Sequence, residues 1–264
     1  MKDRRVLCNL FWLMYVVSCD NVPPFTSEIE EEFVTTPVGT KHALVKVPQG
    51  VFTMGAEGER SDESPQHQVH LDGFYIDKFE VTNEKYLAFA KATGADQPVF
   101  IVSDLFNQSS QPVVGVVWEE ANNYCAWAGL RLPSEAEWEK AARGNNGQIF
   151  PWGDNPPSQS LARYRSDDGP IQVGSFPNGA SPYGALDMTG NVWEYVRDHY
   201  VEGFYHSGPV RNPVAIVSNG EPDHTIRGGG WGSSPEELRA SRRGRVFLID
   251  ADLPDAQVGF RCAR

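Results

Sequence analysis

Four cysteines, six histidines and one tight group of arginines are the side chains of this sequence that could do chemistry. A thiolate is a nucleophile and a soft-metal ligand. Cys8 and Cys19 fall in or directly after an apolar N-terminal segment, which leaves Cys125 and Cys262 for the body of the chain, as free thiols or as a bridge. Arg239, Arg242, Arg243 and Arg245 could hold a carboxylate or sulfate through forked hydrogen bonds. They could equally pair with the nearby Glu236, Glu237, Asp250 and Asp252. His199, Glu202 and His206 have the spacing of metal ligands on one helix face, but Gly203 and Phe204 interrupt it, and a solvated loop is the simpler reading. His67 and His70 fall on opposite faces of an alternating segment and read as structural. No nucleophile elbow, phosphate loop or dinucleotide fingerprint occurs.

The elements that must position these groups belong to one sizeable domain with an N-terminal appendage. The chain has 264 residues, with 25 glycines, 19 prolines and 7 tryptophans, a loop-rich composition. Its net charge of −12 repels phosphate backbones, so nucleic acid is not an expected partner. Lys2, Arg4 and Arg5 precede an apolar run over 6–17 that is short for a membrane span and has signal-peptide proportions. Ser18-Cys19 resembles a bacterial lipobox, so residues 1–18 are expected to be a lipoprotein signal peptide and Cys19 the lipidated residue. Residues 19–40, with Pro23, Pro24 and the acidic group Glu28, Glu30, Glu31 and Glu32, read as a flexible tether.

Within 41–264, residues 43–47 and 51–55 read as strands joined in a hairpin; 66–71 and 74–81 read as further strands. Thr82 is placed to cap a helix with Tyr86, Phe89 and Ala90 on its apolar face, stopped near Gly94. A second helix covers 118–129. A third starts with the capping-box pair Ser134 and Glu137 and buries Trp138, Ala141 and Ala142. Turn signals fill 150–190, and 191–196, 226–231 and 258–262 read as closing strands.

Several segments, in this order, resemble the sulfatase-modifying-factor family, whose founding member is the formylglycine-generating enzyme. They are Val47-Pro48-Gln49-Gly50 with Phe52-Thr53-Met54-Gly55, Phe79-Glu80-Val81-Thr82-Asn83, the run from Tyr124 through Arg131-Leu132-Pro133-Ser134-Glu135 to Glu139, Phe150-Pro151-Trp152-Gly153, the run from Tyr183 through Gly190-Asn191-Val192-Trp193-Glu194, Arg227-Gly228-Gly229-Gly230-Trp231, and Gly259-Phe260-Arg261-Cys262. The resemblance implies an irregular α+β domain, C-type-lectin-like, with little regular secondary structure. It implies a Cys125–Cys262 disulfide, which suits an exported domain. It implies a structural calcium ion on Asn191 and Glu194, hard oxygen donors that suit Ca²⁺, although the alternative pairs Glu194 with an arginine such as Arg227. Arg163 stands where a second family calcium site would need an asparagine.

The family oxidase holds copper on two cysteines. Aligned on Gly228-Gly229-Gly230-Trp231, those positions fall on Ser233 and Leu238, so no copper and no catalytic residue are expected. The expected role is a ligand-binding or accessory module in the cell envelope, held at the membrane by its lipid anchor. Its surface would be Trp231, Ser233, Ser234, Arg239, Arg242, Arg243 and Phe247, and its ligand a protein, peptide or small molecule. The alternative is a divergent metal-dependent enzyme that modifies an envelope protein or peptide, as pyoverdine-maturation or sulfoxide-synthase relatives do.

Overall fold

A computed structural model describes residues 29–219, 223–246 and 255–264. The expected signal peptide over 1–18, Cys19 and Phe247 lie outside them. Among the described residues no helix is long and apolar enough to cross a membrane. The fold is mixed α+β, with 21% helix and 23% strand, so more than half of the described residues are turn and loop, as the run of turn signals predicts.

Three sheets carry it. Strands β1 (Glu31–Thr35), β2 (Lys41–Val47) and β5 (Phe74–Asp77) form an antiparallel sheet in the order β1-β2-β5. Strands β3 (Gly50–Met54) and β4 (His67–Leu71) form a two-stranded sheet. Strands β6 (Trp193–His199), β7 (His224–Arg227), β8 (Arg243–Val246) and β9 (Val258–Phe260) form the third, in the order β8-β7-β6-β9, with β9 parallel to β6. Helices α1 (Asn83–Thr93), α2 (Trp118–Trp127) and α3 (Glu135–Arg143) and the short α4 (Phe204–Ser207) pack around them.

Two apolar clusters hold the layers together. In one, Tyr86 and Phe89 of α1, Tyr124 of α2 and Phe260 of β9 pack ring on ring at 5.4–6.4 Å. Aromatic pairs at such distances add about 0.5–1.5 kcal/mol each beyond area burial. The other gathers Val47, Phe52, Val69, Ile76 and Met188 around Trp138 of α3. α3 starts as its sequence dictates: the Glu137 amide donates to Ser134 Oγ at 3.1 Å, and Glu137 Oε2 accepts from the Ser134 amide at 2.8 Å.

Several expectations are corrected. Residues 31–35, read as tether, form β1 and pair with 41–45. The acidic group that looked solvated is neutralised by distant cations: Lys46 holds Glu30 at 2.9 Å, Lys78 holds Glu31 at 2.6 Å and Arg264 holds Glu32 at 2.6 Å. The hairpin between 43–47 and 51–55 does not form, because β3 pairs with β4. The turn between the two segments is occupied instead by Lys140 Nζ, which donates to the carbonyls of Pro48 (2.6 Å) and Gly50 (3.2 Å). Thr82 stands at the N-cap of α1, but its hydroxyl makes no cap bond. The strand expected over 226–231 stops at Arg227. Gly229 has φ +76°, and a Cβ there would lie 2.9 Å from Leu238 Cδ2 and 3.0 Å from the Glu237 carbonyl oxygen. The glycine therefore lets the chain turn tightly onto the next segment.

Candidate functional site

The two cysteines of the described residues are joined: Cys125 of α2 and Cys262 after β9 form a buried disulfide, Cα–Cα 5.7 Å, across 137 residues of chain. Closing a loop of that length stabilises by about 5 kcal/mol by chain entropy. The same region holds a polar relay that the sequence did not mark. The buried His42 ring sits with Nδ1 at 2.8 and 2.9 Å from the two Asp77 carboxylate oxygens and Nε2 at 2.9 Å from the Tyr124 hydroxyl, and Asp77 Oδ2 also accepts from the Cys262 amide. His42 and Tyr124 are fully buried and Asp77 nearly so, which makes this a structural lock between β2, β5 and α2 rather than a site open to substrate.

The two positions that the resemblance assigns to copper ligands are buried. Ser233 is 5% exposed and its Oγ accepts from the Gly230 amide at 3.0 Å. Leu238 is fully buried with Phe150, Ala162 and Tyr164. Ser234 stands at the N-cap of the 3₁₀ turn Pro235–Leu238, where its amide donates to Glu237 Oε2 at 2.8 Å. Trp231 is half-buried, with an indole N–H that has no hydrogen-bond partner.

The arginines divide sharply. Arg239 makes a two-bond fork to Glu63 at 2.6 and 2.8 Å. Arg243 makes one to Glu135 at 2.7 and 3.0 Å, its guanidinium lying 4.7 Å from the ring centre of Tyr200 and 4.6 Å from that of Tyr205. Arg245 reaches Asp223 at 3.4 Å and also covers Tyr200. Arg242 is half-buried and donates from Nη1 to the Arg243 carbonyl at 2.5 Å; among the described residues it makes no ion pair. Burial, and after it the charge of Arg60, push its pKa below the ordinary arginine value.

Arg242, Arg243 and Arg245 meet at a cleft of about 400 Å³ beside β8, the edge strand of its sheet, lined by Arg60, Asp62, Trp193, Tyr200, Ile226 and residues 242–245. Of the predicted surface, Arg242 and Arg243 line it. Arg239, Ser233, Ser234 and Trp231 do not, because their polar groups serve the ion pair, turn and cap just described or sit buried. Sequence reasoning missed Arg60, Asp62, Trp193 and Tyr200, which come from distant loops and strands with no local signal. Gly244 marks the site in retrospect: a Cβ there would lie 2.8 Å from Ile226 Cγ1 and 3.0 Å from Trp193 Cζ3. A glycine inside a strand often marks such a close approach.

Behind the cleft lies a buried ion network. Arg227, fully buried, reaches Glu135 at 3.0 Å and Glu139 at 2.5 Å and donates to the Ala240 carbonyl at 2.7 Å. Glu139 also accepts from Arg143 at 2.6 Å and from the Gly55 amide at 2.8 Å. Burial raises the Glu139 carboxyl, but Arg227 and Arg143 outweigh it and hold it below the usual carboxylate range.

The residues proposed for calcium are engaged otherwise. The Glu194 carboxylate takes three N–H donors: Arg261 Nε and Nη2, both at 2.7 Å, and Trp138 Nε1 at 2.8 Å. Its arginine partner is thus Arg261, not Arg227. Asn191, at φ +59°, accepts from the Ile171 amide with Oδ1 and donates to Glu80, both at 2.9 Å. Calcium takes six to eight oxygen ligands and tolerates no guanidinium in their place. A calcium site built on Asn191 and Glu194 therefore does not fit this arrangement. Arg163, at the second position, donates from Nε to the Gly169 carbonyl at 3.2 Å.

His199, Glu202 and His206 do not come together as a metal set either. His199 lies in β6 with its ring 5.3 Å from that of His224, which stacks on Trp118 at 4.4 Å, whereas His206 is exposed on α4. Among the described residues no group of three or more His, Cys, Asp or Glu is placed to hold a metal ion.

Known proteins share this architecture. The structure of PvdO from Pseudomonas aeruginosa superposes with a TM-score of 0.71 at 27% identity, covering 88% of this chain and 97% of that one. Treponema denticola variable protein 1 superposes with a TM-score of 0.72 at 19% identity, over 88% of this chain and 98% of that one, a likeness of fold. In sequence, the formylglycine-generating enzyme of Mycobacterium tuberculosis is 29% identical over 83% of this chain and 96% of its own. The serine/threonine-protein kinase Pkn1 of Chlamydia trachomatis serovar L2 is 32% identical over 90% of this chain, but the match spans only 40% of that kinase. The profile of the sulfatase-modifying factor enzyme 1-like domain matches residues 30–264, and the chain belongs to that FGE-sulfatase family.

Proposed function

We propose that this protein is a ligand-binding or accessory member of the family, lipid-anchored through Cys19 on the extracytoplasmic side of the cell envelope, and that it does not generate formylglycine. The observation that carries the reading is the state of its thiols. Both cysteines of the described domain are consumed by the Cys125–Cys262 bridge, and Ser233 and Leu238 stand buried where the alignment on Arg227-Gly228-Gly229-Gly230-Trp231 calls for copper thiolates. A hydroxyl and an isobutyl group cannot bind Cu(I) as thiolates do. The arginine-lined cleft beside β8 is the surface offered to a ligand, with Arg242 and Arg243 retained from the expected set.

The test is direct. The full chain, supplied with copper and oxygen, is incubated with a sulfatase-derived cysteine peptide, and the peptide is weighed by mass spectrometry. An unchanged peptide is expected; conversion of its cysteine to formylglycine would overturn the reading. Membrane fractionation of the Cys19→Ala variant tests the anchor, with release into the soluble fraction expected.

A further inference from the structure

We infer that the cleft beside β8 is a carboxylate-binding site, in which the guanidinium forks of Arg242 and Arg60 take the ligand's anionic group. This rests on the binding-module reading and gives it a ligand class.

The charge inventory of the cleft leads there. Arg243 is neutralised by Glu135 at 2.7 Å, Arg245 faces Asp223 at 3.4 Å, and Arg60 holds Asp62 at 3.1 Å. Arg242 is left, half-buried, with a backbone carbonyl as its acceptor and no ion pair among the described residues. Guanidinium stays protonated at any physiological pH, so this charge cannot be shed. Asp62, Glu63 and Glu237 act on it without a direct ion pair, so an incoming anion that pairs with it directly recovers part of the free energy that holding it partly out of water costs. Arg60 uses Nε on Asp62 and is 57% exposed, so its terminal nitrogens remain available beside the same opening.

The same inventory selects among anions. Among the described residues one cation of the cleft has no ion pair of its own, and Asp62, on the cleft wall, repels further negative charge. A monoanion fits that balance; a phosphate dianion does not. A planar carboxylate also matches the planar fork of arginine bond for bond. The walls are built to hold still. Arg243 is clamped between two tyrosines, Tyr200 donates to Asp62 at 2.8 Å, and a side chain at position 244 is excluded by Ile226 and Trp193. About 400 Å³ suits a small acid or the end of a peptide.

Isothermal titration of the full chain with benzoylglycine, its neutral amide and inorganic phosphate tests this. Saturable binding of benzoylglycine, none of the amide and weaker binding of phosphate are expected. Arg242→Gln should weaken benzoylglycine roughly 10- to 100-fold, the worth of charged hydrogen bonds. Arg242→Lys, which keeps the charge without the fork, should lose less, and Arg211→Gln, at a side chain that pairs with Asp72 and does not line the cleft, should lose nothing. Thermal melts of each variant establish that it is folded. A capped tripeptide with a free carboxylate distinguishes a chain end from a small acid as the source. Equal binding of acid and amide, tighter binding of phosphate, or unchanged binding by folded Arg242→Gln would overturn the inference. None of these results depends on the formylglycine assay, whose failure would sink the module reading by itself.

Discussion

Replacing Arg227 by methionine removes a buried charge while nearly preserving volume, so the loss reports on the ion network rather than on a cavity. The structure sets its size. Glu139 keeps Arg143 and the Gly55 amide, and Glu135 keeps both bonds from Arg243, so neither carboxylate is stripped bare. What disappears is the bridge between them, the donor to the Ala240 carbonyl, and the cation 5.4 Å from the Trp138 ring centre. Removing one partner of a buried ion pair costs about 3–5 kcal/mol; the surviving partners put this variant at about 3 kcal/mol. For a domain of this length that lowers the melting temperature by roughly 6–12 °C. The assay is urea unfolding of the parent, Arg227→Met, Glu139→Gln and the double variant. Because Glu139→Gln removes the charge that Arg227 leaves behind, the double variant should fall short of the sum by about 1–3 kcal/mol. Additivity within about 0.5 kcal/mol would refute the reasoning, since it would mean that the two side chains do not share a buried contact.

Reduction of the Cys125–Cys262 bridge, or its removal by Cys125→Ala with Cys262→Ala, should cost about 2–5 kcal/mol in the same urea assay. Chelation with EDTA should leave the melting temperature within about 2 °C, since Arg261 and Trp138 fill the Glu194 carboxylate; a larger fall would show a bound cation. The pH dependence has a definite sign at Asp198, where burial and then the charge of Glu135 push the carboxyl up to about 7. Its folded value lies above the unfolded one of about 3.9, so its stabilising contribution is complete below that value and is lost as pH rises through about 7. His224, pushed down to about 4 by burial and by His199, acts in the opposite sense, with stability lost as pH falls from about 6.5. The comparison is therefore between parent and Asp198→Asn: the variant should lose less stability between pH 5 and 8, and parallel profiles would count against the assignment.

What could be read in one dimension was local. The capping box at Ser134 and Glu137, the alternation of 67–71 and the turn-rich stretch 150–190 each rest on neighbours in sequence, and each is present. The disulfide came from the family resemblance, not from spacing. What escaped depends on partners far along the chain. Glu63 meets Arg239 across 176 residues, Glu135 meets Arg243 across 108 and Glu194 meets Arg261 across 67. No periodicity announces such pairs, so the acidic residues before β2 read as a solvated tether, Glu194 as a metal ligand and Arg239 as a ligand contact. The cleft was half legible for the same reason: Arg242 and Arg243 stand out by composition, whereas Arg60 and Trp193 join them only through the fold.

The parallel pairing of β9 with β6 has a consequence for how the protein is made. Residues 258–262 supply the strand beside β6, the arginine on Glu194 and the second cysteine of the bridge, all inside the core. A nascent chain whose synthesis has passed β6 and β7 still lacks these pieces. The Glu194 carboxylate would be buried without its cation, and Tyr86 and Tyr124 would lack the Phe260 ring. The core therefore closes only after residue 262 has left the ribosome. Chains cut short before residue 258 would never reach that closure and would remain open to proteases.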